Sequence, residues 1–308
     1  MNFKKYSKYI GRFFAWLLLV FCSLIAKFLP LRLLYSFAKA IALLGFLFIG
    51  RHRRIALESL NIAFDKEKSP CQIWSIAREC FIDMVKSAIE IVYLSERPAL
   101  IKKYITFRGQ EHLESALKRG KGVILVSAHF GNFPLMVVRM NLEGYKTYAI
   151  MRTLRDKRTE RFFIKRRDQL GVETIFTHPR KECVGNTLRF LRNNKIIFIP
   201  LDQNFGQAGG VFVDFFGKLA ATAVGPVVLA QRTQAALLPC FIIRQLDNSH
   251  VISFEPPLFM EGVPNTQDAI KQKVQVLTAI IESYIRRYPA QWSWIHRRWK
   301  SKQKESEA

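Results

Sequence analysis

The feature that most constrains the fold is a continuous apolar run at Gly122–Ser127, which reads GVILVS and leads directly to His129. A strand that is apolar at every position is typical of a parallel sheet covered on both faces. Strand-like runs also occur at Thr147–Met151, Val172–Phe176, Lys195–Leu201, Leu237–Arg244 and Val251–Glu255. Between them lie the helical stretches Phe133–Asn141, Arg158–Leu170 and Val224–Gln234. The alternation predicts an α/β fold with a mainly parallel central sheet flanked by helices.

Two apolar runs set the N-terminus apart from this core. The first, Phe13–Ala26, contains no charged residue and is bordered by Arg12 and Lys27; the second lies between Lys39 and Arg51. The first run is shorter than the roughly 20 residues that span a bilayer, but snorkelling of the bordering cations extends its reach. A cleaved signal peptide has the same order of charged and apolar residues, and a buried core helix is a second alternative. We favour an N-terminal membrane-associated helix.

These patterns divide the chain into three parts. Residues 1–50 are expected to form a membrane-anchoring helical segment, residues 51–105 a helical region broken at Pro70, and residues 106–308 the α/β core. Near the end of the core, apolar residues recur at helical spacing over one face: Ile270, Val274, Leu277, Ile281, Tyr284 and Tyr288. Pro289 ends this predicted helix, and a basic and aromatic tail follows.

The chain is strongly basic, with a formal net charge of +24 from 48 Lys+Arg against 24 Asp+Glu. Such an excess favours polyanionic partners: nucleic acid, anionic lipid headgroups or an acidic carrier protein. The basic residues are spread along the chain and form no arm of the kind that binds nucleic acid. The cluster Arg51, Arg53 and Arg54 directly follows an apolar run, as headgroup-binding segments do. We therefore expect an anionic membrane lipid as partner, and no nucleic acid.

Cysteine and histidine spacing argues against a metal centre. The five cysteines are odd in number and none has CxxC spacing, which predicts neither a disulfide framework nor a zinc site. The six histidines are dispersed and form no metal-ligand pattern. A reducing, cytoplasm-facing environment agrees with this usage.

The strongest candidate for chemistry is His129, at the carboxyl end of the apolar strand. Open α/β sheets place their ligand crevices at this edge. Gly131 permits a close backbone approach, Asn132 can cap the next helix, and Pro134 suits its first turn. A neighbouring helix N-terminus disfavours imidazolium, which would keep the imidazole neutral and able to accept a proton. The alternative is a buried histidine whose hydrogen bonds are satisfied locally.

The segment from Ala128 to Pro134 resembles the AHFGNWE-type block of the bacterial lipid A biosynthesis acyltransferases, within the glycerolipid acyltransferase superfamily. Further segments resemble other blocks of that family in the same order. They are Arg54–Phe64, Met151-Arg152, Arg166/Arg167-x-x-Leu-Gly, Asp202-Gln203, Val211–Thr222 and Pro289–Lys300. The resemblance covers nearly the whole chain.

The resemblance implies an enzyme that moves a fatty acyl chain from acyl carrier protein or acyl-CoA to a hydroxyl of a lipid A precursor or related anionic glycolipid. His129 would be the general base, and the thioester would be a co-substrate, with no further cofactor. No cysteine or GxSxG serine lies in the block, so no covalent acyl-enzyme is implied. The expected location is the inner membrane, with the catalytic domain facing the cytoplasm. Lysophospholipid, mannolipid and aminolipid acceptors stay open, as does a catalytically silent lipid-binding homologue.

One position departs from the family pattern. The family has an acid five residues after the histidine, where this chain has Pro134. In a serine-protease triad, losing the equivalent carboxylate costs about 10⁴ in rate. Glu143 would lie roughly 14 Å further along the helix, whereas Asp202 ends another buried strand and could approach from a neighbouring one. We favour Asp202 as the acid; a turn cap is the alternative reading of this residue.

The remaining candidates bind substrate or membrane by resemblance. Arg152 would stabilise the oxyanion or bind a phosphate, together with backbone amides near Gly131 and Asn132. Phe216, Gly217 and Thr222 would shape the acyl or donor channel; core packing around a turn glycine is the alternative. The tail residues Trp292, Trp294, Arg297 and Arg298 would meet lipid headgroups, since aromatics beside arginines suit that interface.

Overall fold

The computed structural model describes residues 3–206 and 209–303. Its α-helices are α1 (Phe3–Phe28), α2 (Leu31–Phe48), α3 (Gly50–Phe64), α4 (Pro70–Leu94), α5 (Pro98–Tyr104), α6 (Gln110–Lys118), α7 (Phe133–Leu142), α8 (Lys157–Gln169), α9 (Arg180–Arg192), α10 (Gly225–Thr233) and α11 (Gln267–Arg287). Its strands are β1 (Ile105–Arg108), β2 (Val123–Ser127), β3 (Thr147–Met151), β4 (Glu173–Phe176), β5 (Ile196–Pro200), β6 (Gly210–Phe215), β7 (Lys218–Ala223), β8 (Ala236–Arg244) and β9 (His250–Phe254).

Seven strands form one sheet in the order β1-β9-β8-β2-β5-β3-β4. Every neighbouring pair is parallel except β8 and β9, which confirms the predicted α/β fold with a mainly parallel sheet. The six predicted strand runs and three predicted helical stretches all correspond to elements, with ends that differ by at most one residue. The sequence patterns did not predict β1, the antiparallel hairpin of β6 and β7, or helices α6 and α9.

Strand β2 lies at the centre of the sheet because both of its faces are apolar. Val123 and Leu125 pack into the core on one face of the sheet, and Ile124 and Val126 into the core on the other. This period of two is what a pleated strand between two helical layers requires. The buried stripe expected on the last helix is also confirmed, with Val274, Leu277, Ile281 and Tyr284 fully buried on α11.

Two N-terminal helices in the described part, not one, are long and apolar enough to cross a membrane: Tyr9–Phe28 and Leu31–Phe48. Helix α2 packs along α4, and the residues that it buries recur every four positions: Leu34, Ala38, Ala42 and Phe46. Tyr35 contacts the end of α4 through Glu90, and Phe46 contacts its beginning through Trp74. The two helices are therefore antiparallel. The boundaries predicted for the three parts of the chain stay predictions.

The opposite face of α2 is apolar and exposed, and so is much of α1. The exposed residues are Leu33, Phe37, Ile41, Leu44, Leu47 and Phe48 on α2, and Tyr9, Ile10, Phe13, Phe14, Leu17, Phe21, Leu24 and Phe28 on α1. Contiguous exposed apolar faces of this size mark a surface that meets a membrane or another protein.

A glycine at the start of β2 tests how tightly the centre of the sheet is packed. Gly122 has φ +78°, and a Cβ there would lie 2.5 Å from the Leu191 carbonyl oxygen. We expect Gly122→Ala to lower the free energy of unfolding by about 2 kcal/mol. Thermal unfolding in detergent measures this, with Gly185→Ala as the control, since that helical position is open. The control should be neutral or slightly stabilising; equal stability of the two variants would contradict the packing described here.

Candidate active site

His129 and Asp202 meet because they follow two neighbouring strands. In the register of β2 and β5, Ser127 pairs with Pro200, so each of the two side chains comes two residues after a paired position. His129 Nδ1 is 2.8 Å from Asp202 Oδ1, and the His129 backbone N–H donates to Asp202 Oδ2 at 2.9 Å. The structure thus brings together the two residues that the sequence predicted as the catalytic pair.

A third donor completes the surroundings of Asp202. The Trp292 indole N–H donates to Asp202 Oδ2 at 2.7 Å. Burial alone would raise the pKa of this carboxyl, but the charge and hydrogen bonds of His129 and the bond from Trp292 lower it to about 2. Asp202 is therefore ionised at neutral pH, although it is almost completely buried.

The same contact raises the pKa of His129. Burial lowers the pKa of the imidazole, but the charge and the hydrogen bond of Asp202 raise it by more. The carboxylate thus acts against the predicted effect of the neighbouring helix, and the net effect of burial and Asp202 is to raise the pKa of His129. Since Nδ1–H donates to Asp202, neutral His129 carries its lone pair on Nε2. That atom faces the Gln203 side-chain amide at 3.1 Å.

The loop after His129 is held by contacts that the sequence did not reveal. Gly131 has φ +52°, and a Cβ there would collide with the Ile242 carbonyl oxygen. Its backbone N–H donates to the Gln291 carbonyl at 2.7 Å, so that amide is not free to stabilise an oxyanion. Asn132 is fully buried and does not cap α7 with its side chain. Both expectations, an oxyanion donor at Gly131 and a side-chain cap at Asn132, are corrected.

Asn132 instead joins a buried network on α4. Its Nδ2 donates to Glu90 Oε2 at 2.8 Å. Glu90 also contacts Arg244, accepts from Tyr35 at 2.6 Å, and lies 3.1 Å from His250 Nε2. Burial would raise the pKa of Glu90, but His250 and Arg244 lower it to about 2. In the sequence, Glu90 stands as a single acid inside the apolar stretch Ala88–Leu94, and nothing there identifies its partners.

Residues of the C-terminal tail are buried beneath the site and hold it by hydrogen bonds. Trp292, Trp294 and Arg298 are fully buried, so the prediction that they meet lipid headgroups is wrong. Arg298 donates to the Ala221 and Gln203 carbonyls and contacts the Thr222 hydroxyl. Composition misled the prediction because aromatic and arginine side chains serve interiors and interfaces alike.

Phe216, Gly217 and Thr222 lie in the hairpin of β6 and β7. Phe216 has φ +57° and packs edge-on against Phe64, while Gly217 has φ +69° in the turn itself. Thr222 is fully buried. These positions agree with the alternative that the sequence left open, core packing around a turn glycine; a role in an acyl or donor channel stays a prediction.

The predicted basic residues differ in exposure. Arg152 follows β3, is exposed, and forms no hydrogen bond or ion pair within the described residues. Arg51, Arg54 and Arg297 are also exposed. Arg53 is half-buried over Phe46 and Trp74, and donates to the Phe46 and Leu47 carbonyls, so it caps the end of α2 and does not face outward.

A mostly apolar cavity of about 210 Å³ opens beside the histidine. Its wall includes His129, Met84, Ala88, Ile91, Phe133 and Pro134. The position at which the resemblance expected an acid therefore contributes apolar surface to this cavity. In the described part of the chain, no group of three or more His, Cys, Asp and Glu residues is arranged to hold a metal ion.

A histidine oriented by a buried carboxylate, at the carboxyl edge of a mainly parallel sheet, is an arrangement that can carry out general-base chemistry. The chain belongs to the family described as bacterial lipid A biosynthesis acyltransferase, which it matches over residues 1–301. It is an acyltransferase of the lipid A biosynthesis type.

Several individual proteins are similar to this chain. The lipid A biosynthesis palmitoleoyltransferase of Escherichia coli (strain K12) is 28% identical over 268 residues, which cover 83% of this chain and 81% of the relative. The lauroyltransferase of the same organism is 21% identical, covering 89% and 87%. A phosphatidylinositol mannoside acyltransferase of Mycobacterium tuberculosis is 32% identical over 136 residues, 42% of each chain. Among solved structures, the 1-acyl-sn-glycerophosphate acyltransferase of Thermotoga maritima aligns with a TM-score of 0.38 and 15% identity, covering 84% of this chain and 99% of that one.

Removing the carboxylate tests the electrostatics directly. We expect Asp202→Asn to lower the pKa of His129 below its ordinary value of about 6.5, because burial then acts without an opposing charge. A pH titration of the imidazole by NMR measures this change. Asp247→Asn, which removes an exposed carboxylate, should leave that pKa unchanged; an unchanged pKa in Asp202→Asn would contradict the pairing.

Proposed function

We propose that this enzyme transfers a fatty acyl chain from a thioester of acyl carrier protein or CoA to a hydroxyl of a lipid A precursor or a related anionic glycolipid. The observation that carries the proposal is the 2.8 Å contact between His129 Nδ1 and Asp202 Oδ1. This contact leaves Nε2 of His129 as an acceptor, and the same residue lines the mostly apolar cavity. Acyl transfer to a hydroxyl needs a base that removes the hydroxyl proton and an apolar space that holds the acyl chain.

The chemistry follows from the properties of these two residues. The acceptor hydroxyl donates to His129 Nε2, which removes the proton as the oxygen attacks the thioester carbonyl. Asp202 stabilises the imidazolium that forms, as its raising of the His129 pKa indicates. Collapse of the tetrahedral intermediate breaks the C–S bond, and the imidazolium returns its proton to the sulfur. The ester and the free thiol are the products.

Pro134 does not imply a loss of activity in this account. The silent-homologue alternative predicts that no carboxylate reaches His129, and Asp202 reaches it at 2.8 Å. Pro134 lines the cavity with Met84, Ala88 and Ile91. We assign this cavity to the part of the acyl chain nearest the thioester, since its wall offers mostly apolar surface.

Charge supports the choice of donor and acceptor. A surface with a net charge of +24 attracts an acidic carrier protein and steers its approach. Arg152 is exposed just beyond β3 and is free to bind a phosphate of either substrate. No cofactor beyond the thioester co-substrate is part of the proposal.

We assign the exposed faces of α1 and α2 to the membrane. Helix α2 lies along α4 and exposes its other face, so we place it in the surface of one leaflet, with Arg51 and Arg54 at the headgroups. The proposed location is the inner membrane, with the catalytic part on the cytoplasmic side.

A mannolipid acceptor is the second candidate. The observation in its favour is the 32% identity to a phosphatidylinositol mannoside acyltransferase over 42% of the chain. Both acceptors offer a sugar hydroxyl beside phosphate, so they share the mechanism proposed above. Lysophospholipid and aminolipid acceptors are outcomes that the same assay would detect.

Acyl transfer by purified protein tests the proposal. We expect the wild type to acylate a membrane lipid extract from at least one of the two thioester donors. His129→Ala should lower the rate by about 10⁴-fold or more, because it removes the base through which Asp202 acts. Mass spectrometry of the product identifies the acceptor. His112→Ala, on α6, is the control and should keep full activity. Inactivity of the folded wild type with both donors and all extracts would contradict the proposal.

Binding to liposomes tests the membrane assignment. We expect Phe37→Glu with Ile41→Glu to weaken co-sedimentation with anionic liposomes by about tenfold or more, because each change introduces a charge into the apolar face. The control is Val184→Glu with Val276→Glu, which places the same two charges on exposed apolar positions of α9 and α11. Equal binding by the two proteins would refute the assignment of α2.

A further inference from the structure

The side-chain amide of Gln203 lies between two imidazoles. Its nitrogen is 3.1 Å from His129 Nε2 and 3.3 Å from His296 Nε2. Two sets of hydrogen bonds fix the backbone of Gln203. Its carbonyl accepts from the buried Arg298 at 3.3 Å, and the preceding residue, Asp202, accepts from three donors. The side-chain amide therefore extends toward the two histidines from a backbone that is held in place.

Proton positions determine which way this amide faces. Nδ1–H of His129 donates to Asp202, so Nε2 of the neutral ring can only accept. The atom that faces it must be the amide N–H₂ of Gln203 and not the oxygen. The second N–H donates to His296 Nε2, which must also be unprotonated. Both hydrogens of the amide are used, and His296 fixes its orientation.

A donor directed at the lone pair of His129 favours the unprotonated ring. This effect opposes that of Asp202, which favours imidazolium. The other charged and titratable groups around His129 are His296 and Arg298 from the tail and Asp83 across the cavity from α4. The amide N–H also occupies the position that the hydroxyl of an acceptor substrate would need in order to donate to His129 Nε2.

We propose that Gln203, oriented by His296, is a positioning residue that keeps His129 in its free-base form and occupies the site of the acceptor hydroxyl until that hydroxyl displaces it. The proposal rests on the proposed role of His129 as general base. It assigns the alcohol-binding position to the space around His129 Nε2, Gln203 and His296. When a hydroxyl takes the place of the amide N–H, His129 removes its proton, and the amide returns after the product leaves.

The pH dependence of kcat/KM tests the proposal in the full-length enzyme. Gln203→Glu places a carboxylate beside Nε2, so the acidic limb should move upward by about 1–2 pH units. Gln203→Ala should move the limb upward by less, because it removes the donor without adding a charge. His296→Ala should also move it upward by less, because the freed amide of Gln203 can turn its oxygen toward a protonated Nε2. Gln203→Ala should lose most activity below the shifted limb and much less above it, a pH dependence that a purely structural defect would not show. Gln169→Glu, an exposed site on α8, adds the same charge and should leave the limb unchanged.

A titration of the His129 imidazole by ¹⁵N NMR provides a readout that does not need activity. The pKa of His129 should rise in the order wild type, Gln203→Ala, Gln203→Glu. An equal fall in kcat at every pH with an unmoved limb, or an unchanged pKa in Gln203→Glu, would overturn the proposal. Absence of acyl transfer by the wild type would instead contradict the proposed function. The NMR titrations would still decide the role of Gln203 in that case.

Discussion

The rest of the site depends on the burial of one ionised carboxylate. An ionised group inside a protein is stable only when charge and hydrogen bonds compensate for the lost water. Asp202 receives the backbone N–H and Nδ1–H of His129 and the indole N–H of Trp292. These donors come from the loop after β2 and from the C-terminal tail. One carboxylate therefore fixes the imidazole, its tautomer and the path of the tail together.

A second buried acid supports the same loop from the other side. Glu90 on α4 contacts Asn132, Arg244 and Tyr35, and so connects the loop, the sheet and helix α2. Arg244 exchanges hydrogen bonds with Gln291, whose carbonyl accepts from Gly131. Helix α2 is thus joined to the loop that follows His129 by direct side-chain contacts.

Local patterns predicted the sheet well and the surroundings of the site poorly. The run VILVS identified the central strand because both its faces are apolar, and Asp202 could be chosen because it follows another buried strand. The hairpin of β6 and β7 was missed, since its mixed polar and apolar pattern is weakly periodic. Trp292 was assigned to the surface because composition does not reveal burial. Glu90 meets Asn132 across 42 positions of the chain, and no local signal predicts such a contact.

The central claim is that Asp202 supplies the carboxylate that relatives of this chain are expected to carry at the position of Pro134. The most direct test is kcat/KM for acyl transfer by Asp202→Asn, measured across pH beside the wild type and with folding checked by thermal unfolding. The account predicts a fall of about 10⁴-fold, by analogy with the triad carboxylate. A folded Asp202→Asn enzyme that keeps activity within about tenfold of the wild type would contradict it.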